Sequence, residues 1–262
     1  VVTGGEILFE GRDLMKLGKA EYENLRGNQI SMIFQNPMTS LNPVYTVGHQ
    51  LSGIIRLHQN LNKRQSEEKA GDMLELVGIP RSRAGNYPHE FSGGMKQRVC
   101  IAMGLACNPN LLIADEPTTA LDVTIQAQIL DLIRELKDQF NTSTIFITHA
   151  LGVVREIADY VAVVYAGSIL EQGSLKDIFT DPKHPYTRGL FGCLPDCEPG
   201  QKRLNLIRGS MPDPLRLPQG CKFCPRCDHA MVICSEEDPE VRDLGGGHQV
   251  KCHLYQSEAK DE

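Results

Sequence analysis

Two carboxylates, Asp115 and Glu116, stand side by side directly after the continuous apolar run Leu111-Leu112-Ile113-Ala114. A carboxylate at the end of a buried strand can hold Mg²⁺ through water, and a second one beside it can orient and deprotonate an attacking water. A strand that merely ends in a polar turn would look the same in isolation. Two further apolar runs also end in polar residues: residues 30–35 end on Gln35, and residues 144–147 lead into Thr148-His149. Ser92-Gly93-Gly94 opens a helical pattern whose apolar face is Met95, Val99, Ala102, Met103 and Ala106. Ser92 is a natural N-cap, and two glycines at a helix N-terminus let a phosphate approach free N–H groups. A last cluster has different chemistry. The spacing Cys221-x2-Cys224-x2-Cys227-x6-Cys234-x17-Cys252 crowds five thiols into the final 42 residues. Cysteine thiolates bind Zn²⁺ tetrahedrally or hold an iron–sulfur cluster.

These groups must be positioned by regular elements. Residues 7–9 read as a short strand and residues 30–35 as a second, stopped by Asn36-Pro37. Val47, Leu51, Ile54, Ile55 and His58 share a helical face, and Ser66 with Glu67 and Glu68 marks the start of another helix, ended by Gly78 and Pro80. Residues from about 36 to 108 are thus expected to be mainly helical. Ile125, Ile129, Leu132, Ile133, Leu136 and Phe140 trace a long amphipathic helix, and residues 161–165 form a further buried-type strand turning at Ala166-Gly167. Strands without polar alternation, separated by helices, indicate an α/β fold with a mostly parallel sheet covered on both faces. Ligands bind beyond the carboxyl ends of such strands, where Gln35, Asp115, Glu116 and His149 converge. From about residue 180, Pro182, Pro185, Pro195, Pro199, Pro212, Pro214 and Pro218 break up any long element, so residues 181–262 read as a tethered, Cys-rich extension rather than more sheet.

Composition bounds the function. The 262 residues are 41% hydrophobic and 23% charged, which excludes a disordered, collagen-like or coiled-coil chain. A net charge of −6 argues against a broad nucleic-acid-binding surface, and residues 221–262 carry five Lys/Arg against nine Asp/Glu, unlike a nucleic-acid-binding zinc ribbon. The most apolar stretch, residues 99–114, is interrupted by Asn108, Pro109 and Asn110, so no bilayer-spanning segment is expected. Nine cysteines without an export signal do not suggest a disulfide scaffold, and Cys100 and Cys107 read as core thiols.

Taken together, these motifs resemble the ATP-binding subunits of ABC transporters. Ser92-Gly93-Gly94-Met95-Lys96-Gln97 matches the ABC signature, and residues 111–117 match Walker B plus the catalytic Glu. Ala120-Leu121-Asp122 matches the D-loop, Gln35 the Q-loop and His149 the switch histidine. Asn36-Pro37-Met38-Thr39-Ser40-Leu41-Asn42-Pro43, His184-Pro185-Tyr186-Thr187 and the terminal cysteines narrow the resemblance to dipeptide and oligopeptide importers. Phe91 before Ser92 and Met95 after the glycines look like the "D" member of the subunit pair rather than its "F" partner.

The resemblance implies an α/β P-loop-type ATPase domain over residues 1–180, with a helical subdomain over about 36–108. It implies catalytic roles for Glu116, His149 and Gln35, and ATP and Mg²⁺ contacts for Ser92, Gly93, Gly94, Gln97, Asp115 and Asp122. It implies a [4Fe–4S] cluster on Cys221, Cys227, Cys234 and Cys252, with zinc as the alternative and Cys224 as a spare thiol or alternative ligand. The expected partners are an F-type ATPase subunit in a heterodimer, two transmembrane permease subunits and an extracytoplasmic peptide-binding protein, with no nucleic acid. The expected location is peripheral, on the cytoplasmic face of a bacterial plasma membrane. No Gly-x-x-x-x-Gly-Lys-Ser/Thr occurs, and in the family that loop lies just upstream of a stretch like residues 2–7. The expectation is therefore an N-terminal truncation, leaving a chain that donates a signature and a catalytic Glu but does not hold ATP tightly at its own Walker site. Ala150 stands where the family usually has Asp after the switch histidine, which removes a local polar contact. A non-catalytic subunit that lends its signature to a partner, or an ABC ATPase without a permease, are the rival readings.

Overall fold

The computed structural model describes residues 4–119, 121–193 and 206–256. Ala120, Cys197, Pro195, Pro199 and the first three residues lie outside the described residues. The chain divides into two compact units, one up to Val153 and one from Val154 onward.

In the first unit, β1 (Leu8–Phe9) and β2 (Arg12–Asp13) form a small hairpin, followed by α1 (Lys19–Leu25). The unit's main sheet has three parallel strands in the order β3 (Ile30–Ile33), β4 (Leu111–Asp115), β5 (Ser143–Ile147). Between β3 and β4 the chain is helical, as the periodicity predicts: α2 (Pro37–Ser40), α3 (Val47–Gln59), α4 (Lys63–Leu76) and α5 (Gly93–Leu105). Val47, Leu51 and Ile55 are fully buried on the apolar face of α3. The start of α4 differs from the expected Ser66. Asn62 caps the helix by accepting from Gln65 N, while the Gln65 side chain accepts from Asn62 N, a reciprocal capping box. Ser66 is buried inside the first turn, donating to Lys63 O at 2.8 Å. α6 (Val123–Phe140) buries Ile129, Leu132, Ile133 and Leu136, and α7 (Leu151–Ile157) carries the boundary between the units.

The second unit departs from the expected parallel sheet. β6 (Tyr160–Tyr165) pairs antiparallel with β7 (Ser168–Ser174) across a two-residue turn. Ala166 has φ +46° and Gly167 φ +78°, and a two-residue loop with both central residues left-handed joins antiparallel strands. The C-terminal region also contributes to the sheet, contrary to the expected strand-free extension. After α8 (Leu175–Thr180), α9 (Pro185–Gly192) and α10 (Val232–Glu236), β8 (Val241–Asp243) and β9 (Gln249–Lys251) extend the order to β6-β7-β9-β8. The unit boundary therefore falls after Val153, earlier than the proline-rich stretch suggested, because β7 and β9 are strand partners.

The second unit's core couples strands to cysteine segments. Phe223 packs edge-on against Tyr165 with ring centroids 5.4 Å apart, and Tyr186 lies 5.3 Å from Phe223. Cys221 and Cys234 are buried in the same cluster with Leu170. Among the described residues, no helix is long and apolar enough to cross a membrane.

Candidate active site

β4 is the central strand of the parallel sheet, so its carboxyl end is flanked on both sides by other strand ends. Ile33 of β3 pairs with Ala114, and Asp115 pairs with Ile147 of β5. That register brings Gln35, Asp115, Glu116 and His149 to the same edge from three separate segments. The chain must turn sharply at Glu116, whose φ is +43°, in the left-handed region that L-residues seldom occupy. Its N–H is satisfied by Ile147 O at 2.9 Å.

The Glu116 carboxylate is gathered by three side chains. Gln35 Nε2 donates to Oε2 at 2.8 Å, Thr119 Oγ1 donates to the same oxygen at 2.8 Å, and His149 Nδ1 lies 3.1 Å from Oε1. These contacts hold the carboxyl below its usual range, His149 contributing most, then Thr119, while desolvation opposes them. Glu116 is thus ionised and fixed in direction, as a base for a water molecule must be. His149 is largely exposed at 76% of its side-chain surface, free to meet a ligand. With its amide nitrogen committed to Glu116, Gln35 leaves its carbonyl oxygen for a cation. Together with the Asp115 carboxylate this is a hard-oxygen donor set of the kind Mg²⁺ prefers. Thr119 is the residue that sequence reading missed. Its signal is a hydroxyl three positions after a strand-end carboxylate, within reach only because the chain turns at Glu116.

The signature segment sits at the start of α5. Ser92 is its N-cap, accepting from Met95 N at 3.4 Å, and Ser92 and Gly93 are exposed. A Cβ on Gly94 would come within 2.8 Å of Ile125 Cγ2, so glycine there allows α5 and α6 to touch at their first turns. Asp122 caps α6 by accepting from Ile125 N at 2.9 Å. Gln97, expected at the nucleotide, is 1% exposed, and its Nε2 is buried without a hydrogen-bond partner. Lys96 is buried too, its Nζ 3.1 Å from Met38 Sδ.

In the second unit, one small cavity is lined by Cys221, Cys224, Cys227, Cys234 and Cys252 together with His184. Burial pushes the thiols of Cys221, Cys224, Cys227 and Cys252 up, Cys252 to about 11, with neighbouring thiols adding to the shift at Cys221, Cys227 and Cys252. All are free thiols, and among the described residues no three His, Cys, Asp or Glu side chains form a group that could hold a metal ion. Beside the cavity, Glu171 is 1% exposed and accepts from Lys183 N at 2.6 Å, His184 N at 2.9 Å and His248 Nε2, 2.8 Å away. His184 is equally buried, and burial pushes its imidazole down to about 4.

Comparison with known proteins accords with this geometry. The ABC transporter family profile matches residues 2–119, and that of the oligopeptide/dipeptide transporter C-terminal region matches residues 170–234. The oligopeptide transport ATP-binding protein AppD of Bacillus subtilis is 47% identical over the whole chain, which covers 80% of that protein. The ATP-binding protein OppD of Escherichia coli is 53% identical over 90% of the chain and 71% of its own length. The chain belongs to the ATP-binding subunits of oligopeptide and dipeptide ABC transporters. It is an ATPase of ABC type. Among solved structures, a dimeric ATP-binding cassette, MJ0796, in a post-hydrolysis state bound to ADP and Pi is 25% identical. It overlays with a TM-score of 0.60 over 66% of this chain and 74% of its own.

Proposed function

We propose that this ABC ATPase drives peptide import, using Glu116 as the base that deprotonates the water attacking the ATP γ-phosphate. The observation that carries the reading is the Glu116 carboxylate held by Gln35, Thr119 and His149 at the end of the central strand. Proton transfer runs from water to Glu116. Gln35 and Asp115 would hold Mg²⁺, which would supply charge neutralisation at the phosphates. His149 stabilises the charge that develops on the transferring group. Ser92, Gly93 and Gly94 clamp an ATP whose phosphates lie in a partner subunit's loop, using the N-terminal N–H groups of α5. Asp122 contributes to the same interface through the segment it caps.

The names of the relatives support a peptide cargo carried by a membrane permease. An F-type ATPase as the second subunit, two permease subunits, an extracytoplasmic peptide-binding protein and a position on the cytoplasmic membrane face complete the reading. The test is Glu116→Gln in the assembled transporter. ATP turnover at that site should fall by two or more orders of magnitude while ATP binding persists. Unchanged turnover at the Glu116 site would remove the general-base role and favour a subunit that only lends its signature.

The same reading places a [4Fe–4S] cluster on Cys221, Cys227, Cys234 and Cys252. The support is that the five cysteines line one small cavity. A bound cluster would cross-link segments that share little core of their own. Iron and sulfide analysis after anaerobic purification is the test. Stoichiometric zinc without sulfide would overturn it.

A further inference from the structure

His184 has one ring nitrogen employed and one left over. Its Nδ1 accepts from Tyr186 N at 3.0 Å as the N-cap of α9. An accepting Nδ1 needs its lone pair, so the proton of the neutral ring sits on Nε2. Nε2 is buried and has no hydrogen-bond partner, which buried N–H groups rarely tolerate. The ring is held from several sides. Glu171 Oε2 accepts from the His184 backbone N–H at 2.9 Å, and Phe223 packs against the imidazole with centroids 5.7 Å apart. The orphan donor therefore cannot swing out to find a partner elsewhere. His184 is also part of the wall of the cavity lined by Cys221, Cys224, Cys227, Cys234 and Cys252. The rest of that wall includes Pro185, Phe223 and Leu254, which offer no side-chain donor to sulfur, together with His229 and with His253, whose two ring nitrogens already lie 2.6 Å from Gln256 Oε1 and 2.9 Å from Glu237 O.

We propose that His184 Nε2–H donates a hydrogen bond to a sulfur of the cysteine-held iron–sulfur cluster, either a ligating thiolate or a bridging sulfide. The proposal rests on the cluster reading above. N–H donors on cluster sulfurs stabilise the reduced, more negative state and raise the reduction potential. His184 is in this sense a positioning and tuning residue and is not itself a ligand. It also ties the cluster to the sheet, since the Glu171 carboxylate that holds its backbone belongs to β7 and also meets His248.

Two substitutions separate the ring's two jobs. In His184→Asn, the side-chain oxygen still caps α9 but no group reaches as far as Nε2. In His184→Gln, a side-chain N–H reaches that far but the cap is weakened. The assembled transporter is purified anaerobically, and iron content, reduction potential and the electron paramagnetic resonance spectrum of the reduced cluster are measured. The expected result is a more negative potential and shifted spectrum in His184→Asn at unchanged iron content, with both restored toward the parent protein in His184→Gln. An identical potential and spectrum in His184→Asn would overturn the hydrogen bond while leaving the cluster intact. A parent protein without iron and sulfide would overturn the cluster reading and this proposal with it.

Discussion

Glu171 supports the sharpest stability prediction. Its carboxylate is 1% exposed and receives two backbone N–H groups at the entry to α9 as well as the His248 imidazole. In Glu171→Ala, all three donors lose their acceptor inside the second unit. Leaving a buried donor without its acceptor costs about 1–3 kcal/mol, so losing the acceptor of three costs at least about 3 kcal/mol. For a unit of this size, each kcal/mol lowers the melting temperature by roughly 4–8 °C, so a fall of at least about 12 °C is expected. Glu171→Gln is graded differently. Its remaining oxygen can still serve Lys183 N and His248, but its NH₂ faces the His184 N–H, donor against donor, for a loss of about 1–3 kcal/mol. The chain has no tryptophan, and Tyr160, Tyr165, Tyr186 and Tyr255 of its seven tyrosines lie in the second unit. Near-ultraviolet circular dichroism of tyrosine therefore follows this unit, alongside the three tyrosines of the first, during thermal unfolding. A Glu171→Ala protein melting within about 2 °C of the parent would refute the reasoning, because the three donors would then have found other partners at no cost.

Further outcomes follow from the other contacts. Removing one hydroxyl donor in Thr119→Ala should lower kcat up to about tenfold at unchanged ATP affinity, measured by steady-state turnover. His149 is the largest cause of the depressed Glu116 carboxyl, so the parent should keep an ionised base to below the usual carboxylate range. In His149→Ala, the acid limb of the residual kcat profile should move up toward ordinary glutamate values; a limb that stays put would separate the two residues. Asp122→Ala should cost about 1 kcal/mol through the lost cap and Asp122→Asn much less, so an Asn variant of parental stability with impaired turnover would point to a role beyond capping. Gly94→Ala should destabilise the first unit by about 1–3 kcal/mol against Ile125, and adding Ile125→Ala should recover part of that loss in a double-mutant cycle.

The cluster at the sheet's carboxyl edge was readable because each member announces itself locally. Gln35, Asp115 and His149 each follow an apolar run, and parallel strands gather their carboxyl ends by topology alone. Ser92 was readable as a cap for the same reason. Thr119 was not, since its contact depends on the left-handed turn at Glu116. The antiparallel hairpin was misread although its turn was seen, because a bare apolar strand does not reveal whether its neighbour runs with it or against it. Glu171 and His248 lie 77 positions apart and meet only through the pairing of β7 with β9, which the prolines between them obscured.

The contact between the first turns of α5 and α6 leaves no clearance for a methyl group. Two helix ends in such contact cannot slide independently, so a push on the exposed Ser92-Gly93 turn is delivered to the segment that Asp122 caps. In sequence Asp122 follows three residues after Thr119, whose hydroxyl donates to the Glu116 carboxylate. Gly94 thus sets how closely the exposed Ser92-Gly93 turn can approach the start of α6, a few residues after the threonine that holds the Glu116 carboxylate.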